Sequence, residues 1–249
     1  MVTKSEKINQ GIPGSSGLVA ISGKTNFYYF TKRIIDIIIS TIALIILFPL
    51  MLIVAILIRV DSPGPVIFTQ KRITTLRKRV SGGYQWDRAE FSFYKFRTMK
   101  HNADDKLHKT YVKALIDHDD QTLNSLGNAD SKIKKLTKDP RVTRLGHLLR
   151  RSSIDEIPQF WNVLKGDMSV VGPRPAIPYE LDFYKPWYFR RFETKPGLTG
   201  LWQVVARCSI DFDGMVKLDI EYLENQSLLE DLKIIFMTPV AIFLHRGAA

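Results

Sequence analysis

Between residues 34 and 58 the chain reads IIDIIISTIALIILFPLMLIVAILI, 25 residues interrupted only by Asp36 and a few small polar groups. That is long enough for the ~30 Å hydrocarbon core of a bilayer, and longer and more evenly apolar than an ordinary core helix. No small-residue cleavage signature follows the block, which argues against a removed signal peptide. Pro49 lies near its middle. It lacks a backbone N–H and its ring crowds the carbonyl four residues back, so a kink or break is expected there. Basic residues flank both ends, Lys32 and Arg33 before and Arg59, Lys71, Arg72, Arg77, Lys78 and Arg79 after, so neither end is marked for export. A helix that enters, bends at Pro49 and returns to the same face satisfies both flanks; a spanning helix with a proline kink is the alternative.

The apolar fraction of 45% with 24% charged residues is that of a globular chain, and the formal net charge of +11 calls for an anionic partner: nucleic acid, acidic lipid or a phosphorylated substrate. Cys208 is the only cysteine, so no intrachain disulfide can form and zinc sites built on several thiolates are excluded. The five histidines show no metal-ligand spacing, and neither a Walker loop nor a dinucleotide-type glycine motif opens a helix. Residues 1–26 carry GIPGSSG without apolar periodicity and read as a tail.

The expected organisation is a tail (1–26), a membrane helix (27–60) and a catalytic domain (61–249). Short strands are expected at 66–72 and 91–97, joined by a long loop LRKRVSGGYQWDRAE around Gly82 and Gly83. Helical patterns follow at 101–119, 144–151, 154–164, 179–192, 212–225 and 228–244. The fold class is therefore mainly α with a short β-hairpin (α+β). Two stretches, KPWYFRRFETKPG (185–197) and the Pro239-interrupted C-terminal run, have the composition of segments lying at headgroup level, so the domain is expected to rest on the membrane, against anionic lipid.

The densest chemical signal is RRSSIDEIPQFWNVLKGDMSVVGPRP, residues 150–175. It sets Asp155 and Glu156 side by side in an opening helical turn, ahead of a Gly- and Pro-rich loop bearing Arg174. Ser153-x-x-Glu156 also fits a capping box, which would explain Glu156 but not Asp155. A carboxylate in a first helical turn is expected to be ionised, ready to act as nucleophile or metal ligand. Carboxylates hold Mg²⁺ chiefly when substrate phosphates supply other oxygens, and Arg174 and Lys95 can meet those phosphates. Together these suit phosphoryl transfer, although paired acids at a helix start also serve as plain surface caps.

The blocks KRIIDIIIS with the proline that follows, SPGPVIFTQKR, YKFRTM, DPRVTRLGHLLRRSSIDEIPQFWNVLKGDMSVVGPRP, KPGLTGLWQV and LDIEYLENQSLLEDLKI, in this order over residues 30–246, closely resemble the bacterial sugar transferases, the monotopic polyprenyl-phosphate hexose-1-phosphate transferases. The resemblance implies that Asp155 attacks the β-phosphate of a UDP-sugar, releases UMP, and passes the phosphosugar to a polyprenyl phosphate. It implies Glu156 as ligand of Mg²⁺, substrate or phosphate contacts from Lys95, Arg97, Arg174, Arg207 and Asp231, and a re-entrant helix broken at Pro49. It also implies the bacterial inner membrane with the catalytic domain on the cytoplasmic face, and a role at the start of surface glycoconjugate assembly; a homo-oligomer is compatible with it. Two departures stand out: Phe48 precedes Pro49 where members often have serine, and Ala206 precedes Arg207 where many have glycine. The rivals are a membrane-bound adaptor with a basic lipid-facing surface, and nucleic-acid binding; the first leaves the acid pair unexplained, the second the membrane segment, and no nucleic acid is expected.

Overall fold

The computed structural model describes residues 24–81, 83–101, 106–126, 139–206 and 210–244. Helix α1, Asn26–Asp61, opens with the Thr25 hydroxyl accepting the Tyr28 N–H and closes with the Ser62 N–H on the Ile58 carbonyl. At 36 residues it is about 54 Å along its axis. The helix continues through Pro49 and does not break there. The ring removes a single N–H donor, and the bonds on either side carry the helix past it. Its buried positions are Tyr28, Lys32, Asp36 and Ser40 at intervals of four, then Val54 and Ile58. Ile42, Ile45, Ile46, Phe48, Leu52 and Ile53 between them are exposed.

Strands β1, Ile67–Val80, and β2, Gly83–Phe96, pair antiparallel along their whole length, from Ile67 opposite Phe96 to Val80 opposite Gly83. The segment expected as a long loop, 76–90, is therefore strand up to a tight turn. Cations standing where apolar residues would be expected hide the alternation. Arg77 lies between the rings of Tyr29 and Tyr84, at 4.1 and 3.7 Å, and Trp86 is buried opposite it.

The helical region is more segmented than periodicity suggests. Of the helix expected at 101–119 the structure has α2, Lys106–Ile116, which ends ahead of His118 at φ 56°; a further helix that was not expected, α3, Asp120–Ser125, follows. Helix α4, Arg144–Ser152, ends on Ser153 in the left-handed region; a 3-10 turn Ile154–Glu156 follows, then α5, Gln159–Lys165. The expected helix 179–192 is two 3-10 turns, Pro178–Phe183 and Pro186–Phe192, each opened by a proline. The second turn contributes to the core: Tyr188 and Phe192 are buried with Tyr184, Phe212 and Val216. Helices α6, Leu201–Val205, α7, Phe212–Asn225, and α8, Leu228–Leu244, complete the chain; α8 buries Asp231, Ile234 and Ala241 and exposes Leu229, Phe236 and Val240.

A second, parallel pair of strands joins the two glycine motifs: β3, Ser169–Val171, lies beside β4, Gly197–Thr199. Their backbones touch so closely that a Cβ on Gly197 would lie 2.1 Å from the Gly172 nitrogen. At the end of α1, Gly64 has φ +124°, and a Cβ there would sit 2.0 Å from the Arg97 guanidinium. Gly64→Ala is expected to cost about 1–3 kcal/mol, read as a lowered thermal midpoint of the detergent-solubilised protein; an unchanged midpoint would show that the turn relaxes freely.

Candidate active site

Asp155 and Glu156 sit on the 3-10 turn, held by Glu156 N–H on Ser153 O and Ile157 N–H on Ile154 O, each at 3.2 Å. Ser153 makes no side-chain cap, so the capping box does not form. The turn is pinned by Leu149 and Ile157, which share a buried cluster with Phe96 of β2 and with Val54 and Ile58 of α1. Sequence order and packing thus bring a buried carboxylate, Asp155, to the foot of the apolar helix, with Glu156 half-buried beside it.

A three-residue 3-10 turn offers little dipole, and burial takes over. The Asp155 carboxyl is pushed up to about 7, first by burial and then by Glu156, against the pull of Lys95 and Arg150. The expectation that the turn itself keeps Asp155 ionised is therefore corrected: its charge depends on the neighbouring cations. Burial pushes Lys95 down to about 8, while Asp155 and Glu156 hold it up. Arg150 donates from Nε to the Thr98 hydroxyl at 2.9 Å. Arg72 is buried, bonded to Pro175 O at 2.8 Å, and lies 5.1 Å from the Phe93 ring, its pKa lowered to about 10 by burial and by Arg174. Arg174 is exposed, and its guanidinium makes no hydrogen bond or ion pair among the described residues. Lys95, Arg72 and Arg150, with the exposed Arg174 at the rim, outnumber the acid pair, and such a surplus of cations suits a polyanion.

The remaining expected site residues go elsewhere. Arg97 spends its guanidinium on the carbonyls of Pro63 (2.8 Å), Ser62 (2.6 Å) and Ile58 (3.5 Å) and on the Ser62 hydroxyl (3.0 Å), closing the C-terminal end of α1. Asp231 accepts from Lys32 at 2.9 Å, Tyr28 at 3.0 Å and Tyr222 at 2.6 Å, which ties α8 to α1; no bond joins it to the acid pair among the described residues. Arg207 lies outside the described residues. The KRIID motif completes this attachment: Arg33 donates to the α5 carbonyls of Val163 and Leu164, both at 2.6 Å, and Asp36 accepts from Ser169 Oγ and the Val170 N–H. Among the described residues no group of three or more His, Cys, Asp or Glu gathers to hold a metal, so any cation at the acid pair must take most of its ligands from substrate and water.

Arg72 and Arg150 were not singled out from sequence. Both stand in motif blocks of the sequence, TQKR and RRSSIDE, but only packing turns a particular arginine inward.

The chain is similar to three proteins in particular. It is 38% identical over 237 residues to galactosyl transferase CpsE of Streptococcus agalactiae, covering 93% of this chain and 47% of that protein. It is 34% identical over 238 residues to the exopolysaccharide production protein ExoY of Rhizobium meliloti, covering 95% and 94%. It is 38% identical over 220 residues to undecaprenyl-phosphate galactose phosphotransferase of Salmonella typhimurium, covering 88% and 42%. The chain thus spans about half the length of the first and third and nearly all of the second. The family model "Bacterial sugar transferase" matches residues 27–245, which take in α1, the hairpin and the acid-pair turn together, and the chain belongs to the bacterial sugar transferase family.

Proposed function

We propose that the chain moves a sugar 1-phosphate from a UDP-sugar onto a polyprenyl phosphate, an early step of exopolysaccharide, capsule or other surface glycoconjugate assembly. The observation that carries the reading is Asp155 itself: a buried carboxylate facing surplus cations and packed through Leu149 and Ile157 against the apolar helix. Such a site serves two phosphorylated substrates, one of which lives in the bilayer.

An Asp155 oxygen bonds to the β-phosphorus, the bond from that phosphorus to the bridging oxygen breaks, and its electron pair leaves with UMP. A polyprenyl phosphate oxygen then attacks the same phosphorus and the carboxylate is released. The sugar C1–O bond is never cut, so the anomeric configuration is kept. Lys95, Arg72, Arg150 and Arg174 hold phosphate oxygens and oppose the developing charge. The donor chemistry of Glu156 with Asp155 fits Mg²⁺ shared with substrate oxygens, and bound there it would neutralise phosphate charge. An adaptor accounts for the charge and the anchor but has no use for cations gathered around one buried carboxylate.

A re-entrant α1 would have to bend at Pro49 without breaking, since the helix runs on through it; what supports that reading is how α1 is held. Lys32, Arg33 and Asp36 bind α8, α5 and β3, while Val54 and Ile58 pack with Phe96, Leu149 and Ile157, and between them one face of the helix, Ile42, Ile45, Ile46, Phe48, Leu52 and Ile53, is exposed. A spanning helix would carry its two ends to opposite faces, out of reach of one domain. Single cysteines placed at residues 24 and 60, with Cys208 replaced, are expected to react with impermeant reagent from the cytoplasmic face only; labelling from opposite faces would overturn this.

The direct test is UMP release from a panel of UDP-sugars by the purified protein with Mg²⁺ and polyprenyl phosphate. A folded protein inactive on every donor would favour the adaptor. In the same assay kcat/KM should rise as pH passes about 7, where Asp155 loses its proton, and fall above about 8, where Lys95 loses its charge. Raising Mg²⁺ should move the ascending limb to lower pH, because a dication favours the ionised carboxylate. A flat profile from pH 6 to 9 would contradict both assignments.

A further inference from the structure

At the edge of the cation cluster stands a pair that takes no part in the chemistry above. His108 of α2 and Tyr179 of the turn Pro178–Phe183 meet with the imidazole Nδ1 2.5 Å from the phenol oxygen and their ring centroids 6.2 Å apart, edge to face. Lys109 lies 5.3 Å over the Tyr179 ring and Tyr111 flanks the imidazole at 6.3 Å, so both rings are held. Burial, then Arg174, Arg72, Lys95 and Arg141, push the half-buried imidazole down to about 3. Tyr179 follows Arg174 on a segment bound by β1, with Arg72 donating to Pro175 O at 2.8 Å and the Ile73 N–H to Ala176 O at 2.9 Å, so His108 is a neutral, oriented group at the edge of the cations that meet phosphate.

A nucleotide sugar presents charged phosphates and neutral hydroxyls, amides and base. Arginine and lysine answer the phosphates. An imidazole bonded through one nitrogen keeps the other for a hydroxyl, and a phenol both donates and accepts. The sugar hangs from the β-phosphorus that Asp155 attacks, whereas uracil lies a further phosphate and a ribose away. Neutral groups on the segment that carries Arg174 and is bound by Arg72 through Pro175 O therefore meet the sugar first.

We infer that His108 and Tyr179 form the sugar-reading edge of the site, hydrogen-bonding a hydroxyl or N-acetyl group of the transferred sugar and so setting which UDP-sugar is used. This rests on the transferase reading and adds to it the residues that choose the donor.

The test uses the full chain and four donors that differ at single groups: UDP-glucose, UDP-galactose and their N-acetylamino counterparts. Tyr179→Phe, which removes one oxygen atom, and His108→Ala are each expected to lower kcat/KM for the preferred donor by about 5- to 50-fold and for the poorest by less than about twofold, collapsing the preference. Inhibition by UMP should stay within about twofold of wild type. His108→Gln, whose amide offers an N–H in place of the ring's, should recover part of the preference. Should His108→Ala fail to fold, Tyr179→Phe still decides. An equal loss on all four donors, or an unchanged preference, overturns the inference, and weakened UMP inhibition with unchanged preference assigns the pair to the nucleotide instead. Wild type that releases UMP from none of the donors overturns the transferase reading and this inference with it, a result seen before any variant is made.

Discussion

Asp155→Asn is expected to abolish UMP release, by roughly four orders of magnitude or more, because the amide cannot form the acyl phosphate through which the exchange runs. Incubation with a UDP-sugar labelled on the β-phosphate and no acceptor should leave label on the wild-type chain and none on the variant. Turnover within about tenfold of wild type would refute Asp155 as nucleophile. Misfolding can be separated from lost chemistry, because the same substitution should stabilise the protein. The folded pKa of Asp155 is raised to about 7, above its ordinary value of 3.8. The wild type therefore keeps its full stability below about pH 4 and loses it as the unfolded chain ionises and the folded chain does not, until the cost is complete above about pH 7. Asparagine has no such cost. The variant's thermal midpoint should match wild type near pH 4 and exceed it at pH 8.

The second large effect concerns stability. Asp231→Leu removes the counter-charge of Lys32 and an acceptor of the Tyr28 and Tyr222 hydroxyls, all in a buried setting. Leaving a buried ammonium unpaired costs about 3–5 kcal/mol. The expected result is a steep fall in thermal midpoint together with protease sensitivity near the start of α1, and Lys32→Met in the same chain should restore much of both. A variant that keeps its midpoint but loses kcat would instead place Asp231 in the chemistry, as the family resemblance implies.

What was legible beforehand follows a physical line. The apolar block, α7, α8 and the acid pair were readable because each is a local pattern. The hairpin was misjudged because its inner face is filled by Arg77 stacked on Tyr29 and Tyr84, a burial that only a contact from α1 makes favourable. Residues 185–197 look interfacial by composition, yet Tyr188 and Phe192 among them are core, since aromatic rings with polar edges suit either setting until their neighbours are known.

The acid pair shows the same division at the level of chemistry. By sequence alone the chain had a membrane-length apolar helix, two adjacent carboxylates, an arginine-bearing glycine loop and the motif order of its family, all of which depend on residue identity and spacing. Tertiary structure decided the rest: that Asp155 is buried and not capped, that Lys95 and Arg150 act on its charge, that Arg72 is buried beneath the arginine-bearing loop, and that Arg97 and Asp231 turn to α1. A charge's environment is set by which distant segments exclude water from it, and that depends on contacts that no local stretch of sequence contains.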